Sequence, residues 1–490
     1  MKDQGNYRII YMDNSVNEAM KSTFAIPSES QRPFWPARNY QKDAVKLLIS
    51  LGCGGLLLDP GLGKTAIALF AFLILKNKGI NKRLLVITPL RAMAATWPSE
   101  LKKWKEFEGL RFAIIHGPEK EAMLDVDADI FLINPDAVSW LHEQGRWKRL
   151  KADILCVDES TKFKNSSTKR FKALRFMLPT FMRRWILTGT PTPNGLLDLF
   201  GQIYILDLGN ALGRFITHYR QTYFYPTGYG GYEWRPKLDS AERIAAAINP
   251  IVLRLKAEDW IDMPELIYHD IQVELPPAAR KIYREVELAF ITQIQDETIV
   301  AANAAVAGGK CRQIANGAIY SEISGAGTGR REHHDIHDAK LDALNDLLEE
   351  LQGQPLLILY EFNHDRDRIQ KAIPGMPDLG SVSLKKSVEL IDAFNKGLLP
   401  GLLGHPAGMG HGLNMQDICF RVAFFGLTWN FEHYDQAMRR VWRQGQKSSH
   451  VMIYRFVAKD TLDEVVIQTL SSKDKTQSGF VDRLRTFKRN

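Results

Sequence analysis

The sequence predicts an α/β chain with two parallel sheets in tandem, and three observations carry that expectation. Short apolar, β-branched runs recur through the first half, each ending in polar or turn residues and followed by helical patterning. A second series of the same kind occupies the last third. At 490 residues the chain exceeds one ordinary core and fits two or three domains.

The first-half strands are expected at Gly55 to Leu58, Leu84 to Ile87, Asp129 to Ile133, Ile154 to Val157 and Trp185 to Leu187. Sheets of this type bind ligands at the carboxyl ends of their strands. The residues found there are Lys64-Thr65, Thr88-Pro89, Asn134-Pro135, Asp158-Glu159 and Thr188-Gly189-Thr190. The second series is Leu356 to Leu359, Leu402 to Gly404, Val422 to Phe425 and Met452 to Val457. Between the two series the pattern loosens. There stand an aromatic, glycine-rich stretch (Tyr223 to Trp234), a strand-like piece (Ile267 to Leu275), a long helix from Pro276 and a weakly patterned region, Gly308 to Arg331. The expected division is an N-terminal extension (1–34), a first α/β domain (35–250), a linker (251–275), a helical insertion (276–335), a second α/β domain (336–470) and a basic tail (471–490).

Composition, 45% hydrophobic and 24% charged, is that of a globular protein. A net charge of +8 fits a polyanionic partner without proving one. Four scattered cysteines without C-x-x-C spacing read as reduced, structural thiols rather than a zinc or redox site. The longest fully apolar run, Ala66 to Leu75, is too short to cross a bilayer, and residues 1–10 have no apolar core of a signal peptide. A monomer in the cytoplasm, without membrane attachment, is expected.

Two segments point to phosphate chemistry. Leu58-Asp59-Pro60-Gly61-Leu62-Gly63-Lys64-Thr65 is a glycine-rich turn between an apolar strand and an apolar helix. There the Gly61 and Gly63 region can wrap a phosphate with backbone N–H groups, Lys64 can reach the outer phosphates, and Thr65 can hold Mg²⁺. The short form G-x-G-K-T also occurs as a simple helix-start turn, so its partners decide. Asp158 and Glu159, at a strand end, suit a Mg²⁺ anchor and a residue that orients or deprotonates water, where two carboxylates alone would only cap a strand. Thr188-Gly189-Thr190-Pro191, a tight turn at least, stands one strand further on, where it could relay between nucleotide and a bound polymer. In the second half, Gln436, Arg440 and Arg443 are spaced to share one face of a helix, off the Asp435–Arg439 pair. Arginines so placed can stabilise charge on a transferring phosphoryl group, or form a solvated helix face.

Other features are more ambiguous. The run Glu332 to Asp338, with His333, His334 and His337, could hold a metal or be a polar loop. Trp97, Trp104 and Trp429 could stack on bases or lie in the core. The basic end from Ser471 could track a phosphate backbone or be a solvated terminus.

Assembled in this order, the motifs resemble those of the Swi/Snf-type ATPases of helicase superfamily 2, in the compact form encoded by bacteriophages, from about Arg38 to Glu464. Arg38-Asn39-Tyr40-Gln41 is similar to the glutamine motif, in which Gln41 would read adenine. Leu58 to Thr65 resembles motif I, Thr88-Pro89-Leu90 and its helix motif Ia, Asp158 to Ser160 motif II, and Leu187 to Pro191 motif III. Leu356 to Phe362, His405 to Gln416 and Gln436 to Gln446 resemble motifs IV, V and VI, and Leu253-Arg254 sits where the family's linker carries a similar pair. Pro60, Ser160 after the acidic pair, and Trp442 depart from the usual pattern.

The resemblance implies two RecA-like domains, with ATP and Mg²⁺ in a cleft between them. Lys64, Glu159, Arg440 and Arg443 would act in catalysis. Gln41, Gly61, Gly63, Lys64, Thr65, Gly412 and Gln436 would bind nucleotide, and Thr65 and Asp158 the metal. Thr88, Arg91, Asn134, Thr188, Thr190 and Asn414 would contact nucleic acid. The implied activity is a DNA-stimulated ATPase, translocating on or remodelling duplex or branched DNA. Phage replication, recombination or repair in a bacterial host would be the setting. An RNA-directed ATPase, a remodeller that displaces a protein partner from DNA, and a non-hydrolysing clamp stand as alternatives, the last disfavoured by intact Lys64, Glu159 and Arg443.

Overall fold

The structure, a computed structural model, describes residues 32–227, 233–295, 301–321, 332–409 and 415–481. The chain forms two compact units, one running to Asp262 and resuming at Lys473, the other Met263–Ser472.

The first unit contains α1 (Asn39–Ser50), β1 (Cys53–Leu58), α2 (Lys64–Asn77), β2 (Leu84–Ile87), α3 (Trp97–Lys103), β3 (Phe112–Ile115), β4 (Ile130–Ile133), β5 (Ile154–Asp158), β6 (Arg183–Thr188) and α4 (Leu199–Asp207). An antiparallel ribbon of β7 (Phe224–Thr227) and β8 (Glu233–Pro236) follows, then β9 (Val252–Leu255). Seven of these strands form one parallel sheet in the order β3-β4-β2-β5-β6-β1-β9. Buried on both faces, its inner strands read as unbroken apolar runs such as Leu-Leu-Val-Ile and Ile-Phe-Leu-Ile. Gly55 in β1 is required by packing. A Cβ there would lie 3.0 Å from Val252 and 3.2 Å from both Ile186 and Leu206, the last on α4.

The expected strands of this unit all form, and two more join them. Phe112–Ile115 is a four-residue strand too short to stand out, and Val252–Leu255 is interrupted in sequence by Arg254, which the fold buries. The stretch expected as a linker, 251–275, therefore carries the edge strand β9 of the first sheet and, in the second unit, β10 (Glu265–Val273).

The second unit continues with α5 (Pro277–Gln295), α6 (Ala301–Asn316), β11 (Ala318–Tyr320), β12 (His333–Asp335), α7 (Ala339–Leu351), β13 (Leu356–Leu359), α8 (Asn363–Ala372), β14 (Gly401–Gly404), β15 (Arg421–Phe424), α9 (Phe431–Met438) and β16 (His450–Ala458), and begins α10 (Leu462–Val481). Its parallel sheet has the order β10-β16-β15-β13-β14. Alternate residues supply two cores, Leu357, Leu359, Val422 and Phe424 on one face and Leu356, Ile358 and Ala423 on the other. Both units are RecA-like α/β domains.

A buried polar network ties helices of this second unit together. Lys340 Nζ, on α7, donates to Asp463 at 2.6 Å and to Asn316 Oδ1 at 2.8 Å, and Asn316 Nδ2 donates to Asp365 Oδ2 at 2.9 Å. The His333 to Asp335 run, expected in a loop, is β12, paired with β11. Among the described residues no cluster of histidine, cysteine and carboxylate side chains is arranged to hold a metal, and no helix is long and apolar enough to cross a membrane. Cys156, Cys311 and Cys419 are buried thiols, and burial pushes Cys311 up to about 11 and Cys419 to about 12.

Candidate nucleotide-binding site

The sheet order of the first unit sets its chemistry. Because β2, β5, β6 and β1 are consecutive neighbours, Thr88, Asp158, Thr188 and the turn after β1 emerge side by side at one sheet edge. The turn takes the shape its glycines allow. Gly61 (φ 92°) and Gly63 (φ 81°) occupy the left-handed region, and Gly63 leads directly into α2. A Cβ on Gly63 would also lie 2.6 Å from Gln41 Nε2. The N-terminus of α2 thus presents backbone N–H groups over a turn that only glycine permits, a geometry that fits a phosphate group.

Lys64 Nζ donates to the carbonyl oxygens of Leu58 (2.7 Å) and Asp59 (3.4 Å), so the ammonium is held over the turn. Thr65 follows at the partly exposed start of the helix. Gln41 is braced at both ends of its amide, donating to Leu62 O at 3.2 Å and accepting from Arg38 N at 2.9 Å. Each end keeps further hydrogen-bonding capacity for a base edge. Tyr40 donates to the same Leu62 carbonyl at 3.4 Å, and burial raises its phenol above the ordinary range while Arg38 opposes the shift.

Asp158 Oδ2 accepts from Thr88 Oγ1 (2.9 Å) and from Trp97 Nε1 (3.0 Å). Both bonds fall on one oxygen, which aims the carboxylate and keeps lone pairs of Oδ1 for a cation, so the donor set of Thr65 and Asp158 fits Mg²⁺. Glu159 adopts a left-handed conformation (φ 55°), uncommon for a residue with a side chain, and is only 6% exposed. Ser160 Oγ donates to Gln202 Oε1 at 2.7 Å, and Gln202 Nε2 donates to Pro191 O at 2.7 Å. One buried glutamine on α4 therefore joins the acidic loop to the Thr188–Pro191 turn. A lone glutamine in an apolar helix carries no sequence signal for that role.

Several expectations need correction. Thr88, Thr188 and Thr190, expected on a nucleic-acid surface, are buried. Thr88 spends its hydroxyl on Asp158, and Thr188 Oγ1 accepts from Thr190 N at 3.2 Å. Strand ends inside a seven-stranded sheet are covered by neighbouring loops, which sequence position does not reveal. Arg91 and Asn134 remain partly exposed, and burial lowers the Arg91 guanidinium below its ordinary value. Trp97 is core, with its indole N–H turned to Asp158.

In the second unit, α9 ends at Met438, so Gln436, Arg440 and Arg443 do not share a helical face. The chain turns after Arg439, whose Nε pairs with Asp435 at 2.8 Å as expected. Arg440 instead folds back to donate from Nε to Gln436 O at 2.9 Å and is buried. Gln436 is also buried, its amide 3.4 Å from Glu432 Oε1. Gly412 and Asn414 lie outside the described residues.

With this geometry in place, comparison with known proteins gives a consistent result. The model of the SNF2-related domain matches residues 40–320. Protein p41 of Acyrthosiphon pisum secondary endosymbiont phage 1 is 34% identical, over 91% of this chain and 98% of that protein. An uncharacterized ATP-dependent helicase of Mycoplasma pneumoniae is 27% identical over 90% of this chain and 42% of its own length. The DNA repair and recombination protein RAD54 of rice is 25% identical over 90% of this chain and 51% of its own length. The chain thus spans nearly all of the phage relative and about half of the other two. Among solved structures, the Sulfolobus solfataricus SWI2/SNF2 ATPase core in complex with dsDNA covers 94% of this chain and 96% of its own, at 23% identity and a TM-score of 0.43. The chain belongs to the SNF2-related family and is a Swi/Snf-type, helicase-like ATP hydrolase of superfamily 2.

Proposed function

We propose that this ATPase is a DNA-directed motor that moves along or remodels duplex or branched DNA, in the replication, recombination or repair of a phage. The observation that carries the reading is the row of neighbouring strand ends in the first unit. It brings the phosphate turn, Lys64, Asp158 and Glu159 to one edge of one sheet. The near full-length likeness to a phage protein and the likeness to a protein described as acting in DNA repair and recombination support the setting.

In this reading the N–H groups from Gly61 to Thr65 and the Lys64 ammonium hold the phosphates, and Gln41 meets the adenine. Thr65 and Asp158 hold Mg²⁺, which when bound neutralises phosphate charge. Glu159 orients the attacking water and accepts its proton as oxygen bonds to the γ-phosphorus and the bond to the bridging oxygen breaks. Arg91, Asn134 and Asn414 serve the DNA backbone, giving binding that weakens with salt. The domain division expected from sequence is part of the same proposal.

The test is steady-state hydrolysis alone and with single-stranded, duplex and forked DNA and duplex RNA, using Lys64→Ala as the blank. Stimulation by duplex or forked DNA supports the motor. Stimulation by RNA alone, or by no polymer while Lys64-dependent hydrolysis persists, overturns the DNA assignment.

A further inference from the structure

The edge strand β9 does more than complete the first sheet. In the parallel register Leu57 stands opposite Arg254 and Leu58 opposite Leu255, so β9 runs beside the last residues before the phosphate turn. Arg254 is buried, and its guanidinium grips the end of β1. Nη2 donates to Asp59 Oδ1 at 2.8 Å, and Nη1 donates to Leu57 O at 3.0 Å and to Leu255 O. The other carboxylate oxygen of Asp59 accepts from Ala257 N at 3.0 Å, while Asp59 N donates to Leu255 O at 3.2 Å. Asp59 is thus fastened by side chain and backbone to residues 254–257.

The same residue also touches the catalytic lysine, because the Asp59 carbonyl accepts from Lys64 Nζ. A short chain of contacts therefore runs from Lys64 through Asp59 to Arg254 and Ala257. Three residues further on, the ring of Trp260 packs against Tyr40 with centroids 5.1 Å apart, and Trp260 O accepts from Arg38 Nη1 at 3.1 Å. The segment that leaves the first unit at Asp262 is consequently held at both ends of the nucleotide-binding elements, the phosphate turn and the start of α1 that carries Gln41.

We propose that Asp59, held by Arg254 and Ala257, is a positioning residue that shapes the phosphate turn and passes nucleotide occupancy to the segment leading out of the first unit. The inference rests on the nucleotide reading of Lys64 and the glycine turn. A phosphate that draws Lys64 from the Leu58 and Asp59 carbonyls changes what Asp59 must satisfy, and the Asp59 carboxylate carries that change to the Ala257 amide and to Arg254. A buried carboxylate taking two donors on different oxygens has no slack to absorb such a shift.

Asp59→Asn tests this with little change of volume. Its amide offers one acceptor oxygen where two are used and turns an N–H₂ toward the Arg254 or Ala257 donor. Three quantities are read on the full chain with a non-hydrolysable ATP analogue: its affinity, the KM and kcat for ATP, and hydrogen exchange of the Ala257 amide. In the unaltered protein the analogue should slow Ala257 exchange about tenfold. Asp59→Asn should raise KM about tenfold more than it lowers kcat, and should abolish the exchange response at analogue concentrations that saturate it. Arg254→Lys, which keeps the charge but cannot span three acceptors, should raise KM by a smaller factor and keep the Ala257 response.

The thermal midpoint separates these effects from a loss of folding, since a merely structural pair would lower the midpoint without uncoupling Ala257 exchange from nucleotide. Equal KM and an intact Ala257 response in Asp59→Asn overturn the inference while nucleotide binding stands. Failure of the unaltered protein to bind the analogue overturns the nucleotide reading instead.

Discussion

Two regions of the molecule use charge in opposite ways. At the sheet edge of the first unit, the partly buried Asp158 is held by two neutral donors, Thr88 Oγ1 and Trp97 Nε1, which orient its carboxylate without neutralising it. In the second, Lys340 and Asp463 are all but fully buried and meet each other at 2.6 Å, with Ala458 N and Asn316 completing their shells. Charge at a sheet edge held by neutral donors is available for chemistry, whereas charge neutralised by its opposite inside a helix junction holds elements together.

The contrast can be broken at four places. The largest effect is expected at Glu159: Glu159→Gln should lower kcat about 10²–10⁴-fold with a much smaller change in nucleotide affinity, because proton transfer is removed while the side-chain volume is kept. Wild-type turnover from this variant would end its assignment as the base. In the second unit, Lys340→Met should cost about 3–5 kcal/mol of stability in denaturant titration, by stranding Asp463 in the interior. The paired change Lys340→Met with Asp463→Leu should recover most of that loss, and a failure to recover would mean the ion pair contributes more than cement.

His337 sharpens the same point through pH. Burial, assisted by nearby Arg368 and Lys340 and opposed by Asp338 and by the bond to Ile314 O, holds its imidazole down to about 4 from the usual 6.5. Its partners specify the neutral ring, with Nε2 donating to Ile314 O at 2.8 Å and Nδ1 accepting from Ala339 N at 3.3 Å. Above pH 6.5 neither folded nor unfolded chain protonates it; below, the unfolded chain takes a proton that the folded chain refuses. Stability should therefore fall as pH drops from 6.5 toward 4, by about 3 kcal/mol for this group. Unfolding titrations across that range should show a shallower slope in His337→Gln. The smallest effect is expected at Trp97. Trp97→Phe keeps the packing and removes one of two donors on Asp158, and should lower kcat about tenfold, relieved in part by raised Mg²⁺.

Much of the candidate site was legible because its residues lie close together along the chain. The glycines, Lys64 and Thr65 lie within a few residues, and the strand before them and helix after them announce themselves by apolar runs. Asp158-Glu159 was legible for the same reason, as a carboxylate pair ending a strand. The arginine stripe misled because its spacing assumed a helix that stops at Met438, and the threonines at strand ends misled because exposure depends on which loops cover them. Arg254 went unread as a clamp since a charged residue in a four-residue strand looks like a break in that strand.

By itself the sequence determined the alternation of strand and helix, the glycine turn between β1 and α2 and the position of the acidic pair, all set by interactions among residues near one another along the chain. Only the tertiary structure decided which groups hold those residues in place. Arg254 reaches Asp59 across 195 positions and Lys340 reaches Asp463 across 123, distances that parallel sheets and helix junctions close. The physical reason is that a side chain's charge and size are written at its own position, whereas its burial and its partners are properties of the packed elements around it.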